Sequence, residues 1–362
     1  MKRIIISVTN DITTDQRVAK VCNALLEMNY AILLIGRKLP SSQSLQRKYD
    51  TKRFKLFFNK GFLFYAEFNL RLFFFLICSK KDILLSNDLD TLLPNFLVSK
   101  LQNKKLVYDS HELFPEIPEL VERPRVKKAW ESLENFLLPK IKNCYTVSNS
   151  IADFYQNKYR ANFKVIRNVP VSLNNISVDE LPFQHTNKKI LLYQGAINIG
   201  RGLELIIDTM PLLENCLLII AGKGDIFEKL QQKVASQNLH GYVHFLGNLP
   251  PEKLQKITPL ADVGFSLEED IGLSYRYCLP NKLFDYIQAE VPVIVSDLPE
   301  MKTIVNKYQI GNVLSIRTPE ELAKKINSVL NSNFSFALKK AKEELVWEKE
   351  KLILQHIFNN LV

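Results

Sequence analysis

The sequence predicts an α/β protein made of two doubly wound, Rossmann-like domains that face each other across a cleft. Three observations carry the prediction. Short apolar runs of strand length alternate with helical periodicity, first over residues 3–166 and again over 190–331. The runs are apolar on both faces, as strands of a helix-covered parallel sheet must be. Between the two series, residues 168–189 hold Pro170, Pro182 and several Asn and Ser without periodicity, and read as a linker. A length of 362 residues fits two domains of roughly 150 residues each.

The elements follow in order. Residues 3–8 and 31–36 read as strands. Between them Val18, Val21, Cys22, Leu25 and Leu26 repeat at the spacing of one helix face. Residues 82–85, 105–108, 144–147 and 164–166 are further short strands, with helical patterns at 90–101, 126–142 and 149–158. Residues 62–78 read as a core helix and 37–60 as a basic loop. The second series has strands at 190–194, 217–221, 242–246, 263–266, 292–296 and 312–315. Helices are expected at 202–210, 226–237, 251–258, 281–290 and 319–331. Residues 336–360 read as one long charged amphipathic helix.

Composition narrows the class. With 46% apolar and 24% charged residues the chain is globular, not disordered. The net charge of +10 suggests an anionic partner, but it is uneven. Residues 1–180 hold 28 Lys and Arg against 18 Asp and Glu, and residues 181–362 hold 20 of each, so the first half carries the whole excess. No RNP aromatics and no helix-turn-helix pattern accompany the charge, so nucleic acid is not the expected partner. Cys22, Cys78, Cys144, Cys216 and Cys278 form no CxxC pair and no zinc spacing, and read as thiols in a reducing compartment. The apolar run at residues 4–8 is too short for a signal peptide. The run at 72–78 falls short of the roughly 20 residues that a spanning helix needs. A cytoplasmic chain is expected. A second reading sets it peripherally on the inner face of an anionic membrane, through the basic residues of 37–60 and the aromatics that follow.

In parallel sheets ligands sit beyond the carboxyl ends of the strands, so the chemistry should lie at strand-to-helix junctions. Residues 193–202, YQGAINIGRG, place Gly195 and Gly200 where backbone can approach an anion. Arg201 there can grip phosphate oxygens, or be a solvated turn residue. Residues 218–225 end a strand with Ala221, Gly222, Lys223 and Gly224. Lys223 faces a ligand or water, and Asp225 suits a helix N-cap. Residues 279–286, LPNKLFDY, open a helix near Asn281 whose free N–H groups can hold a diphosphate. Asp285, one turn in, can accept from a ribose diol or serve the helix dipole. The acidic triplet 268–270 reads as a solvated loop or a contact to sugar hydroxyls.

Taken together these segments carry a resemblance. Residues 279–300, LPNKLFDYIQAEVPVIVSDLPE, resemble the nucleotide-sugar loop of retaining family-4 glycosyltransferases. YQGAINIGRGLELIID resembles their diphosphate loop, and AGKGD and HFLGNLP resemble the intervening strand ends. NDITTDQRVAKVCNALLEMNY, SNDLDTLLP and VYDSHELFPEIPEL resemble their acceptor domain. The resemblance implies a GT-B fold. Residues 1–170 would bind the acceptor, residues 171–340 the donor, and residues 341–362 would form a helix packing back toward the first domain. It implies metal-independent transfer, with retention, from a UDP- or GDP-type sugar to a glycan or lipid-linked acceptor in cell-surface polysaccharide synthesis. No cofactor and no metal are expected.

By position, Arg201 matches the family's second basic diphosphate ligand, Asp285 its ribose carboxylate, and His111 the histidine facing the donor sugar. His111 and Arg201 are the expected catalytic residues. Gly195, Gly200, Arg201, Gly222, Lys223, Asn281, Lys282 and Asp285 are the expected donor site. Asp15, Arg17 and Glu112 are the acceptor-side candidates, with Arg17 set to meet an anionic acceptor or Asp15 simply capping a helix. A free imidazole near pH 7 is mostly neutral, and His111 is not assigned as a general base. Three positions depart from the family: Ala196 replaces its first basic ligand, Tyr277 the first Glu of its paired-Glu motif, and Glu290 its usual Gly. Lys282 is placed to replace part of the missing charge. A sugar-nucleotide epimerase or hydrolase, or a non-catalytic nucleotide-sugar binder, is the alternative on the same fold.

Overall fold

The computed structural model describes every residue except 14, 118–119, 121–122, 173–176, 184–186 and 362. Seven residues of the expected linker, 173–176 and 184–186, therefore lie outside the described residues, as do four of the VYDSHELFPEIPEL neighbourhood. The chain divides into two compact units, residues 1–168 with 350–362, and residues 169–349.

The first unit is a parallel sheet of seven strands: β1 (Arg3–Asp11), β2 (Ala31–Lys38), β3 (Asp50–Lys55), β4 (Ile83–Asn87), β5 (Lys105–Ser110), β6 (Asn143–Thr146) and β7 (Phe163–Val165). Their order is β3-β2-β1-β4-β5-β6-β7. The middle is the most apolar part: Ile4, Ile5 and Ile6 of β1 and Leu84 and Leu85 of β4 are wholly buried. Helices α1 (Gln16–Glu27), α2 (Gly61–Cys78), α3 (Leu92–Leu101), α4 (Pro124–Leu137) and α5 (Asn149–Tyr159) cover it.

Two readings of this half need correction. Part of the supposed basic loop is an edge strand, β3, which pairs Thr51 with Leu34 and Phe54 with Arg37. Only Phe54 of its six residues is buried, so no apolar run marks it. The supposed core helix α2 buries one stripe, Phe64, Phe68, Leu72 and Leu76, at steps of four. Its other face leaves Phe62, Leu63, Leu70 and Phe74 exposed. Polar groups tie it to its own unit. Glu67 accepts from the Phe57 and Phe58 amides, and Asn69 donates to the Asp90 carbonyl at 2.8 Å.

The second unit is a six-stranded parallel sheet of order β10-β9-β8-β11-β12-β13. The strands are β8 (Lys189–Gln194), β9 (Cys216–Ala221), β10 (Val243–Gly247), β11 (Val263–Ser266), β12 (Val293–Ser296) and β13 (Gly311–Leu314). The helices are α6 (Leu203–Thr209), α7 (Phe227–Ser236), α8 (Pro251–Ile257), α9 (Leu273–Arg276), α10 (Asn281–Gln288), α11 (Pro299–Tyr308) and α12 (Pro319–Leu330). The short α9 and the whole of α11 went unread in the sequence. In α11 Met301, Ile304, Val305 and Tyr308 are nevertheless buried at helical spacing.

The long helix expected over 336–360 is two helices, α13 (Ser335–Glu344) and α14 (Trp347–Asn359). The break falls where Leu345, Val346 and Trp347 are all buried, and where the Trp347 amide donates to the Pro170 carbonyl at 2.8 Å. Farther along α14, Glu350 takes the Arg167 amide at 2.9 Å and its Nε at 2.7 Å, which fastens this helix to the first unit.

In each sheet the chain starts at the centre, winds outward, then crosses to the other side. The reversal falls between β1 and β4 and between β8 and β11. Loops that leave those strands open the crevice in which such sheets take ligands.

Candidate functional site

The loop after β8 holds three left-handed glycines: Gly195, Gly200 and Gly202. A Cβ on Gly202 would meet the Leu267 carbonyl at 2.4 Å, and one on Gly200 would meet Ile271 at 2.7 Å. Both therefore lie against the segment that leaves β11. Gly222 is needed for another reason: its Cβ would strike the Gly195 carbonyl at 1.8 Å. Glycine there lets the loops after β8 and β9 touch, and the Gly195 amide bonds the Ala221 carbonyl at 2.9 Å.

The charged centre stands beside this loop. Glu268, two residues past β11, has no exposed surface. Its Oε1 lies 3.0 Å from Lys282 Nζ and 3.3 Å from Arg201 Nη1, and its Oε2 accepts from Ser266 Oγ at 2.7 Å. Burial alone would raise the Glu268 carboxyl, but Lys282 and Arg201 outweigh it and hold it below the ordinary value. The expectation of a solvated acidic loop is thus wrong for this residue. Aromatic rings back both cations. The Lys282 ammonium sits 4.1 Å from the Tyr193 ring centroid and the Arg201 guanidinium 4.6 Å from that of Tyr275. Arg201 Nε is buried and donates to nothing. Buried donors are seldom left so, and Lys282 Nζ beside it is likewise buried without an aligned hydrogen bond, its contact with Glu268 being one of charge.

Lys282 belongs to the first turn of α10, and its chain runs past Gly195, where an added Cβ would lie 3.5 Å from Lys282 Cε. The residue after Gly195 is Ala196, where the resemblance expects a base. Lys282 brings a cation to that spot from another element. Asn281, the first residue of α10, is exposed. Asp285 Oδ2 accepts from Gln194 Nε2 at 3.2 Å, and Gln194 Oε1 accepts from Thr258 Oγ1 at 2.8 Å, so the last residue of β8 aims this carboxylate.

Other positions differ from expectation. The Lys223 side chain is exposed, while its carbonyl accepts from the Ile197 amide at 3.0 Å. Asp225 caps nothing: α7 begins after Ile226 and has no side-chain cap. Glu290 holds the left-handed conformation, φ 57°, that a glycine would take freely, and Lys342 Nζ pairs with it at 2.9 Å.

In the first unit, three loops converge. Asp109, at the end of β5, is fully buried and accepts from Arg17 Nη2 at 2.8 Å and Nε at 3.1 Å. Arg17 also donates to the Ile166 carbonyl at 3.0 Å. With 4% of its side chain exposed, Arg17 cannot meet an anionic acceptor, and that expectation is corrected. Asp15 caps α1, accepting from the Val18 amide at 3.0 Å. Glu112 offers its backbone carbonyl to Ser110 Oγ at 2.9 Å. His111 lies between two carboxylates, with Nδ1 3.2 Å from Asp88 Oδ2 and Nε2 3.1 Å from Asp109 Oδ2. Burial would lower the imidazole pKa, but Asp88 and Asp109 raise it to about 9. The ring is therefore charged at pH 7, not mostly neutral.

Sequence reasoning reached Glu268 only within the acidic triplet 268–270, quoted Tyr193 and Gln194 within the glycine-loop motif without a role of their own, and missed Tyr275. For Glu268 a signal existed, since it stands two residues beyond a strand at the point of sheet reversal. The pairing with Lys282 and Arg201, at separations of 14 and 67 residues, had none.

Two Rossmann-like units, with 7 and 6 parallel strands and a glycine loop after the central strand of the second, define the GT-B fold. Residues 178–345 match the family described as Glycosyl transferases group 1, a span lying wholly within the second unit. The uncharacterized glycosyltransferase MJ1607 of Methanocaldococcus jannaschii is 28% identical over 150 residues, which cover 40% of this chain and 36% of that relative. The match thus spans about a third of the relative's length. Among solved structures, sucrose-phosphate synthase of Thermosynechococcus elongatus superposes with a TM-score of 0.83 at 14% identity, over 100% of this chain and 99% of that one. HepE of Anabaena, solved in complex with UDP-glucose, gives 0.76 at 16% identity, over 99% and 100%. At such identities the likeness is one of fold.

Proposed function

We propose that this protein is a retaining, metal-independent glycosyltransferase. It moves a sugar from a UDP- or GDP-type donor to a glycan or lipid-linked acceptor, in cell-surface polysaccharide synthesis on the cytoplasmic face of an anionic membrane. The observation that carries the reading is the convergence of Arg201 and Lys282 on buried Glu268 beside the glycine loop. Two cations on one carboxylate keep a net charge of +1. Together with the first amides of α10, they suit a diphosphate and the charge it gains as the sugar departs. The complex of HepE with UDP-glucose, on the same fold, supports a nucleotide-sugar donor. Asp285 is the ribose acceptor, aimed by Gln194. Retention and the absence of a metal step follow from the resemblance of residues 279–300. The departing diphosphate takes the acceptor proton in that mechanism, so no side-chain base is required. His111, a charged ring, is the first unit's catalytic contribution, and fits a role other than proton acceptor.

Membrane attachment is assigned to α2 and its approach. Phe57 and Phe62 are 84% and 82% exposed, and Phe74 is 58% exposed. Lys52, Lys55 and Lys60 flank them, and each basic residue near an anionic surface contributes about 1 kcal/mol.

The test is turnover with a panel of UDP- and GDP-sugars, with and without a lipid extract as acceptor. Sugar should move to the lipid fraction with its anomeric configuration kept. Epimerised or free sugar formed equally well without acceptor would instead mark an epimerase or hydrolase.

A further inference from the structure

We infer that Asp88 and Asp109 are positioning residues that flank the two ring nitrogens of His111, Asp88 also holding its main chain, with Arg17 anchoring Asp109 from behind, so that the ring works as a fixed cation. The inference rests on the reading of His111 as a catalytic residue and names its state and its supports.

Three segments meet at this ring or its supports: α1 through Arg17, the SNDLD loop after β4 and the YDSHE turn after β5. Sheet register brings the last two together, because β4 pairs Asn87 with Asp109. Asp88, the next residue, bonds the Asp109 carbonyl through its own amide at 2.8 Å. Its Oδ1 takes the His111 backbone amide at 2.8 Å, and its Oδ2 stands 3.2 Å from the ring. One carboxylate thus holds both the main chain and the ring of His111. Asp88 does so with φ 55° and ψ 168°, a conformation that is essentially glycine's. A side chain is retained there at a steric cost, in a loop where glycine would relieve the strain but leave the ring unheld.

The opposite nitrogen lies 3.1 Å from Asp109 Oδ2 as a charge contact without an aligned hydrogen bond, and Asp109, which has no exposed surface, cannot turn away, since the Arg17 fork takes both its oxygens. Arg17 is fixed in turn by the Ile166 carbonyl, one residue past β7. The chain of support crosses the sheet from α1 to β5 to the ring. The charged groups facing His111 are Asp88, Asp109 and Arg17, and the Asp90 carboxyl also feels the ring. With a carboxylate at each nitrogen, the imidazole has no lone pair for a substrate proton. Its charge and its carbon edge are what it presents.

The experiment labels the histidine rings of the full chain with 13C and follows them by NMR from pH 5 to 10. His111→Asn identifies the resonance. In the wild type this resonance should titrate near 9. Asp88→Asn and Asp109→Asn keep side-chain shape, and each should move the midpoint down by at least one unit. Asp88→Asn should also cut kcat more than the donor KM and add a fall in rate above neutral pH, as the ring now loses its proton. A midpoint near 6.5 in the wild type, or one unmoved by Asp88→Asn, overturns the clamp. If Asp109→Asn fails to fold, Asp88→Asn alone decides, since its side chain is only partly buried. A moved midpoint with unchanged kinetics supports the clamp and overturns the catalytic role of His111 instead.

Discussion

A carboxylate with no exposed surface is tolerable only with cations against it, and Glu268 shows what that implies for its neighbours. Arg201 and Lys282 are held by Glu268 before any ligand arrives, which reduces the ordering that binding must impose. Glu268→Gln removes the charge but not the shape and leaves two cations facing each other. It should lower the unfolding free energy by about 3–5 kcal/mol, the usual cost of breaking a buried pair, read from the denaturant midpoint. Its folded pKa is depressed, so its contribution is present above the unfolded value near 4.5 and is lost as pH falls through the folded one. His111 behaves in the opposite sense. Its folded pKa is raised from 6.5 to about 9, so its contribution is whole below 6.5 and is lost as pH rises through 9. Asp90 and Glu134, which burial raises to about 7, lose stability in the same direction at lower pH. The difference between wild type and His111→Asn isolates the ring. Denaturation at pH 6 and pH 9.5 should show that difference shrinking by up to about 3 kcal/mol.

Elements divide by how their burial is arranged. Strands covered on both faces, such as β1, β8 and β9, are continuous apolar runs and were legible in the sequence. β3 was not, because an edge strand with one buried side chain, Phe54, spells mostly charge. α2 misled in the other direction. Its composition is that of a core helix, yet it buries one residue in four, and no periodicity shows that where nearly every residue is apolar. The two faces of α2 predict different losses. Phe68→Ala, at a wholly buried site, should cost about 3–5 kcal/mol of stability. Phe62→Glu with Phe74→Glu should leave the melting temperature within a few degrees but abolish co-sedimentation with anionic phosphatidylglycerol vesicles. Unchanged sedimentation would remove α2 from the membrane reading. The break at Leu345 was hidden for a related reason: buried residues on either side keep helical spacing, and the interruption shows only in long-range bonds, from Trp347 to Pro170 and from Gln288 Nε2 to the Lys342 and Leu345 carbonyls.

Across the whole molecule, the sequence was most legible where a motif ends a strand and least where two distant segments share one charge. Gly195, Gly200, Arg201 and Asp285 could be named from local pattern. Glu268 could be picked out by its place past a strand end, but its role could not, since that comes from Lys282 and Arg201. The charge asymmetry keeps its meaning at this scale. Under the proposed function, the neutral second half needs only a few aimed groups for its anion, which leaves the +10 of the first half to the acceptor and the surface that carries it. The central claim is that the Arg201–Glu268–Lys282 cluster grips a nucleotide diphosphate. Titration calorimetry with UDP, UDP-glucose, GDP and GDP-mannose tests it most directly, on wild type, Arg201→Ala and Lys282→Ala. A charged hydrogen bond contributes about 1.5–3 kcal/mol, so each variant should weaken the preferred ligand about 10- to 100-fold with its circular dichroism unchanged. Equal affinity in wild type and both variants, or no binding of any of the four ligands, would contradict the account.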